Sequence, residues 1–258
     1  MKRLLLPFAG LSLVVFCGGV AQAQVLIGGS INNGNLDRTH ATEVVPGFFL
    51  PKPTGWTYQG SRSISGPFQD GLSSEPWAGP SPTPVTTDGN LNPPSPEGCG
   101  GPDCGVFYKP FTGNATDGST TVHLFQDVPG SAGVTYRLTG WAGAEANFLG
   151  NGEFAIEFLN GANTIIGGAS LNLNVAGLFV PNGQSFNYKE YSVLATAPAG
   201  TQTVRARTSM FEGSNNPMGG GQAFVVDDFS LVVVPEPSTV ALISVGALGL
   251  FALARRRR

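Results

Sequence analysis

The chain has 258 residues, 41% hydrophobic and 12% charged, with 37 glycines and 20 prolines. Glycine plus proline stays just under the level at which disorder becomes the default, no three-residue glycine repeat is present, and 17 phenylalanines supply enough apolar surface for one core, so disordered and collagen-like chains are excluded. Gly, Pro, Asn, Thr and Ser dominate over Lys, Glu, Leu and Met, which argues against a helical bundle and for strands.

Residues 1–23 read as a secretory signal peptide. Lys2 and Arg3 precede an apolar run over 4–20, and Ala21-Gln22-Ala23 is a small-x-small pattern that places the cut after Ala23. An uncleaved N-terminal anchor is the alternative. Between this segment and residue 235, the body at 24–234 holds eight Lys and Arg against sixteen Asp and Glu, a net charge near −8. Such a field repels nucleic acid and makes binding of divalent cations easier.

The body up to about Gly105 reads as irregular. Residues 73–105 form a proline- and glycine-rich insertion whose proline density excludes a central strand or a helix. Cys99 and Cys104 close it, and in an exported chain the pair points to a local disulfide. A two-cysteine metal site is the alternative, but it has no second cysteine pair to complete it, and His40 and His123 stand apart.

From Gly105 onward, turn residues recur every 8–15 positions and the pattern alternates. Strands are expected over residues 120–127, 134–143, 164–172, 188–197, 203–210 and 223–234, with a further alternating run at 154–158. The resulting expectation is an all-β, antiparallel jelly-roll β-sandwich. Val204 and Ala206 alternate with Arg205 and Arg207. Glu153 and Glu157 flank Ala155 on one strand face, read as a solvated outer surface. His40 and His123 show no serine or cysteine partner, and no hydrolase, metalloprotease or phosphate-loop motif occurs, so no catalytic residue is assigned and a non-enzyme is expected. Asn114-Ala115-Thr116 fits the glycosylation acceptor pattern, which usually carries nothing in a bacterium.

At the C-terminal end, Pro235-Glu236-Pro237 forbids regular structure and leaves an accessible strip. An uncharged run over 238–254 follows, about 25 Å long as a helix and near the lower limit for crossing a bilayer. Arg255, Arg256, Arg257 and Arg258 come next and should stay cytoplasmic. This tripartite order over 235–258 resembles the PEP-CTERM sorting signal. The resemblance implies a Gram-negative host, export across the inner membrane, anchoring by a C-terminal transmembrane helix and processing by an exosortase-type protease. Release to the cell surface or the extracellular matrix then follows. A plain tail anchor is the alternative.

The body resembles the galactose-binding-like sandwich of carbohydrate-binding modules. Four stretches carry the likeness: Asn32-Asn33-Gly34-Asn35-Leu36-Asp37, Pro53-Thr54-Gly55-Trp56, the strand from Gly133 to Trp141 with Tyr136 and Leu138, and Phe224 to Leu231. The resemblance implies binding of extracellular polysaccharide and a structural calcium shared by Asp37 and Asp227. Alternation separately puts Asp227 on the inward face with Phe229 and Leu231. A hydrogen-bonded Asp without metal is the alternative. Candidate stacking platforms for a sugar are Trp56, Trp77, Tyr58, Trp141 and Tyr191, with Arg137 or Asn147 as polar partners; packing is the alternative reading of each. A structural or adhesive matrix protein without a sugar site and a polysaccharide-active enzyme are the competing functions.

Overall fold

The computed structural model describes residues 23–62, 71–76, 104–110, 118–178 and 189–235. Thirteen strands and no helix occur among them. The strands are β1 (Val25–Ile27), β2 (Thr39–Val45), β3 (Phe48–Pro53), β4 (Thr57–Arg62), β5 (Leu72–Pro76), β6 (Cys104–Tyr108) and β7 (Thr120–Pro129). They continue with β8 (Thr135–Ala144), β9 (Asn151–Leu159), β10 (Ile165–Asn172), β11 (Lys189–Thr196), β12 (Thr203–Gly213) and β13 (Phe224–Val234).

Two antiparallel sheets face each other. One runs β11-β8-β13-β6-β5, with β1 also on β13; the other runs β10-β9-β12-β7-β4. Neighbours such as β13 and β8, or β12 and β7, are far apart in sequence, which is the crossed connectivity of a jelly roll. A separate hairpin pairs β2 with β3. The expected strands after Gly105 are all present, within one to three residues at their ends. The stretch before Gly105 is not irregular: it supplies β1 to β5 and the start of β6. Its strands are only three to seven residues long and hold Pro51, Pro53 and Pro76, so periodicity misses them. β5 and β6 pair directly, from Leu72 with Tyr108 to Pro76 with Cys104. Strand therefore extends to Pro76 and resumes at Cys104, inside the span read as insertion.

Alternation builds the core. β7 sends Val122, Leu124 and Val128 inward, β9 sends Phe154, Ile156 and Phe158, and β12 sends Val204, Ala206 and Met210. Phe154 joins the two sheets, meeting Phe229 of β13 at 5.0 Å and Tyr191 of β11 at 6.2 Å, both edge to face. Gly140 lies under this pair: a Cβ there would come within 2.5 Å of the Phe229 ring. Burying such rings at about 25 cal/mol per Å² is the main stabilising term.

Candidate functional site

Because β12 lies between β7 and β9, outward side chains fall into cross-strand rows on the outer face of the five-stranded sheet. Arg205 faces Asp127 on one side and Glu157 on the other; Arg207 faces Phe125 and Ala155; Ser209 faces His123 and Glu153. Gln59 of β4 extends the last row beside His123. Two basic residues thus stand between acidic neighbours, at spacings where opposite charges attract across a sheet.

The contacts are close. Arg205 holds both Asp127 oxygens, Nε to Oδ1 at 2.7 Å and Nη2 to Oδ2 at 2.9 Å. Its guanidinium lies 3.9 Å over the Phe125 ring centroid. Arg207 donates from Nε to Glu157 Oε1 at 2.7 Å and from Nη2 to Glu153 Oε1 at 2.8 Å, and from Nη1 to Ser209 Oγ. His123 Nδ1 and Ser209 Oγ are 2.7 Å apart, and the His123 ring meets Phe211 edge-on at 5.3 Å. Burial, and then the Arg207 charge, hold His123 below the ordinary imidazole value of 6.5.

Gln59, His123, Phe125, Glu157, Ile165, Arg205, Arg207 and Phe211 line an open depression of about 250 Å³ above this array. From sequence, Glu153 and Glu157 are expected on a solvated face and His123 without a serine or cysteine partner. Both readings are corrected: the acids are half-buried partners of Arg207, and His123 is bonded to Ser209. The period of two already placed Arg205, Arg207 and the two acids outward. What alternation could not supply was the strand order that puts β12 in the middle. Ser209 is fully buried, so its hydroxyl is closed to an incoming substrate.

The opening segment forms a second locality. Asn33, in the left-handed region with φ 52°, donates from Nδ2 to the carbonyls of Arg38 (2.8 Å) and Thr54 (2.9 Å). Its Oδ1 accepts from the Arg38 amide at 2.9 Å, and its backbone carbonyl accepts from Trp56 Nε1 at 2.9 Å. The two N-terminal motifs are thereby tied together. Gly34 passes so close to Gly28 and to the Phe229 carbonyl that a Cβ would lie 2.5 Å from each, and its carbonyl accepts from the Phe229 amide at 2.7 Å.

Asp37 is fully buried. Its Oδ2 accepts from Asn35 Nδ2 at 2.7 Å and its Oδ1 from the Cys104 amide at 2.9 Å. Asp227 is also buried, but not on the face of Phe229. It stands opposite Trp141, on the face of Val225, whereas Phe224, Val226, Phe229 and Leu231 belong to the main core. A bulge between Asp227 and Ser230, with Asp228 at φ 48°, adds a residue and inverts the alternation. No group of three or more His, Cys, Asp or Glu side chains able to hold a metal comes together among the described residues.

The aromatic candidates separate. Trp56 is 7% exposed and packs on Phe229; Tyr191 is 6% exposed and packs on Phe154. A stacking platform needs a bare ring face, so both are core residues and not platforms. Trp141 is partly buried against Ala223 and Val225. Trp77 lies outside the described residues, as do Cys99, Glu236, Pro237 and Arg255 to Arg258, and with them the expected C-terminal helix. Cys104 is disulfide-bonded. Ala23 is exposed, and Pro235 follows the end of β13.

Residues 233–258 match the PEP-CTERM protein-sorting motif. The motif implies an exported protein processed by an exosortase. No curated protein matches the chain. Among solved structures, a cyclase from Fischerella sp. TAU is similar at 13% identity and TM-score 0.48, covering 84% of this chain and all of that one. TmCBM61, a carbohydrate-binding module in complex with β-1,4-galactotriose, is similar at 14% identity and TM-score 0.35, covering 69% and 88%. The enzymatically active domain of a bacteriophage tailspike protein is similar at 10% identity and TM-score 0.43; 70% of this chain matches, but it spans only 20% of that one.

Proposed function

We propose that this is a non-catalytic exported protein that binds neutral extracellular polysaccharide in the depression on the outer face of the five-stranded sheet. The observation that carries the reading is the Arg205–Arg207 array, in which each guanidinium is already held by carboxylates. Two cations against Asp127, Glu153 and Glu157 leave no surplus positive charge for an acidic sugar. The same groups present fixed donors and acceptors to hydroxyls, and charged partners make the stronger hydrogen bonds. Ile165, Phe125 and Phe211 supply apolar edges for the C–H faces of a sugar ring. Arg205, Arg207, Glu157 and Gln59 are the residues assigned to binding. The test is a glycan array probed with the exported protein. Binding to neutral glycans over uronic-acid polymers is expected; binding only to acidic polymers, or to none, contradicts the reading.

A second reading, a structural or adhesive matrix protein, is favoured by a specific observation. The exposed aromatic rings among the described residues are Phe49 and Tyr58, on separate strands, and they form no row. An array on which nothing binds would select it.

Calcium at Asp37 and Asp227 belongs to the same proposal. The opening segment meets β13 at Gly34 and Phe229, and Asp37 touches the first residue of β6, which pairs with β13 next to Asp227. Carboxylate oxygens such as those of Asp37 and Asp227 are the hard donor type that calcium takes. Against this, both Asp37 oxygens already accept hydrogen bonds, which holds the carboxylate without a metal. A melting temperature that rises with calcium and falls with chelator would support the ion; an unchanged one would leave Asp37 as a hydrogen-bonded anchor.

A further inference from the structure

We propose that two copies of this chain associate edge to edge through β10, extending the five-stranded sheet of one copy into that of the other. Sheet edges are usually protected by charge, proline or brevity. β5 carries Glu75 and Pro76, β11 carries Lys189 and Glu190, and β4 ends at Arg62. Among the described residues β10 pairs only with β9; it has eight residues without a charge or a proline, and its one protective feature is the bulge between Ile165 and Gly167. It lies within a run, 158–188, that contains no Asp, Glu, Lys, Arg or His.

Charge selects the occupant. The body is near −8 and repels a second copy over most of its surface. β10 is where two such bodies can meet without setting like charges opposite each other. A two-fold pairing places the strand against itself, antiparallel, and the period of two restricts the register. Gly168 and Ser170 share the outer face with Glu157 and Ala155, so an axis near Ala169 keeps outer-face residues opposite outer-face residues. The joined sheet would carry two copies of the Arg205–Arg207 depression on one surface, an arrangement that raises avidity for a long polymer.

The test is sedimentation of the exported protein over a concentration range with no glycan present. Wild type should be a dimer that dissociates on dilution. Ser170→Lys and Ser170→Glu, at an exposed position outside the depression, should each weaken self-association by about tenfold or more while keeping the wild-type melting temperature. An equal mixture of the two variants should recover the dimer, because the charges then complement. Wild type that stays monomeric at every concentration overturns the proposal. So does a Ser170→Lys variant as dimeric as wild type, or a mixture that shows no recovery. As an independent readout, amide exchange within β10 should slow as wild-type concentration rises; exchange unaffected by concentration counts against it. Glycan binding measured on the monomeric variants separates this proposal from the groove reading, since either can fail alone.

Discussion

Arg207 is the residue on which the outer-face array depends. It bonds Glu153, Glu157 and Ser209 at once, and its side chain is 14% exposed. Arg207→Gln leaves Glu153 without its cation and leaves Glu157 with Arg205 at 3.8 Å. That should cost about 1–3 kcal/mol, read from chemical unfolding, with Arg207→Lys recovering only part because it lacks the two-pronged geometry. His123 gives a pH signature with a defined sign. Its folded value lies below 6.5, so between that lowered value and 6.5 the unfolded chain binds more protons. Its contribution is complete above 6.5 and is lost as pH falls through that window. The melting temperature should drop between about pH 7 and about pH 5 more in wild type than in His123→Gln; equal pH slopes would contradict the assignment.

At the scale of elements, the opening segment is held by one side chain and one missing side chain. Asn33 makes three side-chain hydrogen bonds while 1% exposed, so Asn33→Ala should destabilise by about 2–3 kcal/mol in thermal unfolding. Gly34→Ala must push Gly28 or β13 aside and should cost at least as much, about 3 kcal/mol. A melting curve unchanged by both would show that the segment does not contribute to the cooperative fold. The motifs here were legible as short polar strings, but the hydrogen bonds that join them span 21 and 23 residues and carry no local sequence pattern. The strands after Gly105 were legible because their alternation is strong. Asp227 was misplaced for a physical reason: one bulge residue, Asp228, reverses every orientation inferred across it. Trp56 and Tyr191 look alike in sequence whether they serve as platform or core, and only their burial decides.

At the scale of the molecule, the sorting motif and the proposed binding face belong to different parts of the chain. The sorting motif over 233–258 overlaps β13 at Val233 and Val234 alone, so a cut near Pro235-Glu236-Pro237 would leave the strand whole. Intact-mass measurement of exported material should find Arg255 to Arg258 absent and the N-terminus at Gln24; retention of the arginines would contradict exosortase processing. The binding claim concerns the sandwich alone, and it is tested most directly by calorimetric titration of a neutral glycan selected on the array into wild type and Arg207→Gln. The account predicts that wild type binds and that Arg207→Gln loses affinity by about tenfold or more while remaining folded. Equal affinity in the two proteins would contradict it.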